Sequence, residues 1–175
     1  MTYRALIVFA MALYAGAAWA DERSASLINS FRMFCTLTTL NFSALDAKAS
    51  AMKLPVIEEL GVPRQDGPFL HSKSWTMPLT TGTHTVVATE ARGANVEFVI
   101  CGIYATDSRG EDAKQELMKQ MDLGNPTDEN IADGPQRMTT WRTKMGSGDA
   151  MLMLSALPDA PRFQLTLLQP FRSGQ

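Results

Sequence analysis

Apolar and polar positions follow one another along this chain in three rhythms, and each rhythm predicts a different element. From Ala5 to Tyr14 the chain is unbroken apolar residues, preceded by Arg4 and followed by Ala18-Trp19-Ala20. This order of a positive start, an apolar stretch and small residues at a cut predicts a secretory signal peptide over 1–20, cleaved before Asp21. The competing reading is a membrane anchor. Gly16, Asp21 and Glu22 close the run before the roughly 20 apolar residues that a span needs. Residues 21–175 then form a single domain with no later stretch of spanning length. No cysteine stands at the cut, so nothing points to a lipid anchor there.

The second rhythm is helical. Leu27, Ile28, Phe31, Phe34 and Cys35 share one stripe, with Ser24 or Ser26 placed to cap its start. Phe42, Leu45, Ala49 and Met52 repeat at intervals of three and four and predict a second helix ending before Pro55. Ser108-Arg109-Gly110-Glu111 has the form of a capping box and opens a third, on which Ala113, Leu117 and Met121 share a face. Gly124 and Pro126 stop it.

The third rhythm is that of strands, at 73–79, 83–91 and 96–104, then at 137–144, 149–156 and 161–169. Short separators between them favour antiparallel pairing, since a parallel crossover needs a dozen residues or more. The continuous run Val99-Ile100-Cys101-Gly102-Ile103 suggests a central strand covered on both faces. Residues 55–70, with Pro55, Gly61, Pro63, Gly67 and Pro68, read as a loop with one turn of helix around Glu58-Glu59, and 125–136 read as a polar loop. The sum is an α+β fold, an antiparallel sheet of about six strands with helices on one face. The halves 42–105 and 110–169 each read as one helix followed by three strands, with a tryptophan, Trp75 or Trp141, on the first strand of each. That pattern admits an internal duplication, and equally the chance recurrence of a common α+β unit.

Composition narrows the function classes. The 175 residues are 45% hydrophobic and carry a formal charge of −2, a balance that argues against a disordered chain and against nonspecific nucleic-acid binding. Cys35 and Cys101 are the two cysteines, and in an oxidising compartment two thiols pair. A thiol nucleophile or a zinc site competes with that reading, but no C-x-x-C or H-x-x-x-H spacing is present.

No catalytic set stands out. His71 and His84 are the only histidines, and either is a candidate general base that lacks a recognisable partner and nucleophile. Gly146-Ser147-Gly148-Asp149 lacks the spacing of a nucleophile elbow and reads as a hairpin turn. No motif calls for a cofactor. Met151-x-Met153 and Met118-x-x-Met121 have spacings that offer thioethers to Cu(I), with His84 as a further ligand, although methionine also fills cores without binding anything. Trp75, His84 and Trp141 are candidate binding residues lining a groove, against core packing as the competing reading.

Phe34-Cys35 behind a helix, the Trp75 strand, the strand ending in Cys101 and the second helix–strand half at Trp141 together resemble small exported proteobacterial proteins of uncharacterised function. That resemblance implies export and work within the cell envelope; it carries no activity and no functional residues. The leading expectation is a periplasmic or secreted, non-enzymatic binding or accessory protein that contacts a protein or cell-envelope partner through the sheet face opposite the helices. The alternatives are a small-ligand binder or motif-less hydrolase using His84 or His71 in a cleft, and methionine-based copper handling.

Overall fold

A computed structural model describes residues 22–36, 40–62, 69–92, 97–145 and 148–170. The leader over 1–20, and residues 146–147 of the expected Gly146-Ser147 turn, lie outside the described residues. Among the described residues the fold has three helices and eight strands. Helix α1 spans 22–35, α2 Phe42–Ala51 and α3 Gly110–Gln120. The strands are β1 Val56–Val62, β2 Phe69–Leu79, β3 Gly82–Arg92, β4 Glu97–Ala105, β5 Asp128–Asp133, β6 Gln136–Met145, β7 Gly148–Ala156 and β8 Phe163–Pro170.

All eight strands join one antiparallel sheet in the order β1-β2-β3-β4-β8-β7-β6-β5. Each half of the chain is thus a helix followed by a four-strand meander, and the halves meet where β4 pairs with β8. The register treats them alike: Trp75 stands opposite Val86 and Trp141 opposite Leu152. Cys101 and Ile103 of β4 stand opposite Leu167 and Leu165 of β8, on either side of the Gly102–Thr166 pair.

The expected count of about six strands falls short by one in each half. Residues read as loops form the edge strands β1 and β5. Both are exposed along their described length and both carry a register irregularity near their start. A strand that buries neither face needs no apolar alternation, so the pattern that reveals inner strands is missing from it. The expectation of a helical turn at Glu58-Glu59 fails for the same reason.

One face of the sheet holds the core. Trp75, Val86, Ile103, Leu165 and Leu154 form one cross-strand row, with Ala88, Cys101, Leu167, Leu152 and Trp141 beside it, all buried. Against this face lie Leu27, Ile28, Phe31, Phe34 and Cys35 of α1, all fully buried as their spacing predicts. Phe42, Leu45 and Ala49 of α2 and Ala113 and Leu117 of α3 complete a single cluster. Each side chain of this kind contributes roughly 1.5–3 kcal/mol by leaving water. Cys35 and Cys101 are disulfide-bonded, with Cα atoms 5.4 Å apart, tying α1 to a central strand.

Three local expectations are corrected. Ser24 lies inside α1 rather than at its cap, and its hydroxyl meets that of Ser108 at 2.9 Å. Because Ser108 is turned toward α1, the capping box does not form: Arg109 is the N-cap of α3 and makes no side-chain cap bond. And β4 is covered on one face only. Val99, Cys101 and Ile103 point inward and are buried, whereas Ile100 is half-buried and Tyr104 exposed on the other side. Among the described residues no helix is long and apolar enough to cross a membrane.

Candidate functional site

Polar chemistry gathers at four places, and the elements that position each decide what it can do. At the start of α1 the buried Arg23 reaches across to the β2–β3 turn. Its guanidinium donates to both carboxylate oxygens of Asp107 at 2.6 Å, to the Thr81 carbonyl at 2.6 Å and to the Thr83 carbonyl at 3.1 Å. Gly82 makes room for it: the backbone there has φ +126°, and a Cβ would stand 2.8 Å from Arg23 Nη1. His84 lies beside this clamp, on the helix side of β3 opposite Met77. It is 5% exposed, and neither ring nitrogen has a hydrogen-bond partner. Burial pushes its pKa down from 6.5 to about 4; the Arg23 charge adds to the depression and Asp107 opposes it. A sealed neutral imidazole of this kind has no route to a substrate.

His71 lies toward the other end of the β2–β3 ladder, opposite Glu90. Its ring stacks against Phe42 of α2 with centroids 4.1 Å apart, and Nε2 stands 3.1 Å from Glu59 Oε1. Lys73 Nζ bridges Glu59 at 3.2 Å and Asp46 at 3.0 Å and lies 5.9 Å from the Trp75 ring centroid. Hydrogen bonds from His71 and then Lys73 hold the Glu59 carboxyl below its usual range. The Asp46 carboxylate, ahead of Glu59, holds Lys73 above its own. His71 therefore has the oriented carboxylate that a general base requires, but the hydroxyls next to it in sequence, Ser72 and Ser74, belong to the opposite sheet face. Ser72 Oγ is engaged with Thr89 Oγ1 at 2.8 Å. The cluster is an ion network that seals the flank of α2.

Trp75 and Trp141, expected as groove residues together with His84, are 1% and 0% exposed in the core. They are packing residues of equivalent position in the two halves. Met151 and Met153 are half-buried on the outward face of β7, while His84 faces inward on β3, so these three do not converge on a common ion. Among the described residues no group of three or more His, Cys, Asp or Glu side chains is placed to hold a metal ion.

The outward face of the sheet is the third place. Its central row runs Ser74, Val87, Gly102, Thr166, Met153, Thr140 across six strands without a charge. The row on one side holds Ser72, Thr89, Ile100, Leu168 and Met151, ending in Arg142. On the other side stand Thr76, Thr85, Tyr104, Gln164, Ser155 and Met138. Hydroxyls and short apolar groups thus cover three adjacent rows in which Arg142 is the one charge. From strand spacing and rise, the patch is roughly 600 Å² in plan.

The fourth place is a cavity of about 230 Å³ between the start of α3, strands β6 and β7, and the β7–β8 turn. Leu154, Ala156, Leu157 and Pro158 form its apolar wall, and Arg109, Lys114 and Arg137 bring cationic groups to it. A smaller cavity of about 90 Å³ lies near Tyr104, Gln136 and Arg162. Neither is lined by a histidine. Sequence reasoning singled out none of Arg23, Asp107, Arg109 or Arg137. One signal for Arg137 was present, since it precedes Trp141 by the interval at which His71 precedes Trp75. No family model, no curated protein and no solved structure matches this chain.

Proposed function

We propose that this chain is an exported, non-enzymatic binding protein of the periplasm or cell exterior, whose uncovered sheet face docks a protein or cell-envelope partner. The observation that carries this reading is the face of hydroxyl and apolar side chains opposite the helices, where Arg142 is the one charge in three rows across six strands. Contiguous apolar patches on soluble monomers are often functional; here Val87, Ile100, Leu168, Met151 and Met153 supply the apolar part between hydroxyls, with Gly102, Thr140 and Thr166 of the central row buried among them. A patch of this size is close to one partner's share of a standard interface, about 800 Å². Export is supported by the leader pattern over 1–20 and by the Cys35–Cys101 disulfide, a bond that persists in oxidising compartments. The absence of catalysis is part of the proposal: one histidine is sealed and the other is stacked in an ion network.

The test is a photo-crosslinking side chain placed at Val87 or at Met153 on this face, with exposed Lys119 of α3 as the control position. Crosslinked species from the envelope fraction should form at Val87 and Met153 and not at Lys119, and Val87→Lys should abolish the Met153 adduct. Equal crosslinking at all three positions, or none at the sheet positions, overturns the reading.

A further inference from the structure

The helix side of the sheet carries the same arrangement twice, and only one copy is filled from within. In α2 the residues Phe42, Leu45 and Ala49 face the sheet, and in α3 Gly110, Ala113 and Leu117 do so at the same spacing. His71 precedes Trp75 on β2 by the same interval as Arg137 precedes Trp141 on β6. In the first half the Phe42 ring occupies the space over His71, and Asp46, Lys73 and Glu59 pair with one another alongside. In the second half Gly110 holds the place of Phe42. Its missing side chain lets α3 close onto β7, where a Cβ would stand 2.2 Å from that of Ala156. Beside this contact the cavity of about 230 Å³ opens over β6.

The charges around the cavity differ from those of the first half in the same way. The Arg109 side chain makes no hydrogen bond or ion pair with any described residue, and the Arg137 guanidinium donates only to the Gln136 carbonyl, at 3.2 Å. Lys114 is already ion-paired with Glu129, and Glu111 is the one carboxylate in the lining. Two exposed guanidinium groups, neither of them ion-paired with a described residue, therefore border an apolar wall in whose lining Glu111 is the one carboxylate.

We propose that this cavity is a binding site for a small amphipathic anion, an apolar body against Leu154, Ala156 and Leu157 with a carboxylate or phosphate held by Arg109 and Arg137. Guanidinium groups suit both headgroups because their N–H donors match the paired oxygens of either. The volume falls below the roughly 300–1,000 Å³ of sites for drug-sized ligands, which keeps the apolar body short. The site is on the helix side of the sheet and stands or falls separately from the outward docking face.

The experiment titrates the full mature chain at low salt with hexanoate, hexyl phosphate or hexan-1-ol, following the backbone amide resonances of Gly110, Leu154 and Ala156. At least one anion should shift these resonances to saturation, with hexan-1-ol at least tenfold weaker, and the tighter of the two anions identifies the headgroup. The R109Q/R137Q double variant, altered at two surface positions, should bind that anion at least tenfold more weakly and hexan-1-ol unchanged. No saturation by either anion, equal binding of the alcohol, or undiminished binding by the double variant each overturns the proposal.

Discussion

Arg23 makes more polar contacts than any other side chain described, and its surroundings set the behaviour of His84. The guanidinium satisfies two part-buried backbone carbonyls of the β2–β3 turn and pairs with Asp107, whose side chain is half in water. Because water screens that carboxylate, the pair itself is worth little, and the loss on removing Arg23 comes chiefly from stranded carbonyls. R23Q should destabilise the fold by about 2 kcal/mol in urea unfolding. The same variant removes the cation that disfavours imidazolium, so the His84 ring should titrate at higher pH by NMR than its value of about 4 in the parent. His84 also makes stability depend on acid. Its pKa is 6.5 when unfolded and about 4 when folded, so between those values the unfolded chain holds a proton that the folded one refuses. Stability is then complete above pH 6.5 and falls as the pH drops toward 4, by no more than about 3 kcal/mol. H84L removes the effect: unfolding free energies at pH 7 and pH 4.5 should differ less in the variant than in the parent. An equal pH dependence in both would assign acid sensitivity to the carboxylates instead.

At the scale of elements, close approach of α3 to the sheet depends on a residue without a side chain. G110A sets a methyl 2.2 Å from the Ala156 Cβ, a separation that packed atoms do not tolerate, so α3 must shift. Overpacking of this kind costs about 1–3 kcal/mol. A156G in the same chain should recover most of the loss, and the double-mutant cycle measured by thermal unfolding should show a coupling of at least about 1 kcal/mol. Both residues were placed by sequence in the right elements, yet nothing in the spacing Gly110, Ala113, Leu117 announces a contact with a strand so far along the chain. The same divide governs the rest of the fold. Elements that bury a face write it into their periodicity: α1 through Leu27, Ile28, Phe31 and Phe34, α2 through Phe42, Leu45 and Ala49, β7 through alternating Leu152 and Leu154. Elements that bury none, the edge strands Val56–Val62 and Asp128–Asp133, read as loops because their pairing rests on backbone hydrogen bonds that no side chain encodes. Candidate-site residues were harder still. Trp75 and Trp141 read from sequence as candidate groove residues with core packing as the competing reading, and their burial decides for the core, whereas the presence of Arg109 and Arg137 at one cavity depends on which loop meets which helix, a long-range fact.

For the molecule as a whole, α1 is joined to its neighbours by a polar clamp at one end and a covalent bond at the other. Arg23 fixes the first turn; Cys35, in the last, is bonded to Cys101 of β4 across a sequence separation of 66 residues. Between them Gln120 of α3 donates to the Ala25 carbonyl at 3.3 Å, and its amide also contacts Glu116 at 2.7 Å. A loop of that length, once closed, removes about 4 kcal/mol of conformational freedom from the unfolded chain. A domain of this size holds only about 5–15 kcal/mol in total, so the bond is a large share of it. Reduction should therefore lower the free energy of unfolding by several kcal/mol, while the folded state keeps its sheet, whose pairings do not pass through sulfur. The C35A/C101A variant checks this: its urea midpoint should fall by an amount equivalent to about 4 kcal/mol or somewhat more, since two buried sulfurs also leave the core, while its far-ultraviolet dichroism stays that of the parent. If reduction leaves the midpoint unchanged, α1 is held by its apolar stripe and the Arg23 clamp alone. A chain so insensitive to reduction would be equally stable in a reducing cytoplasm, which would remove one of the two supports for export.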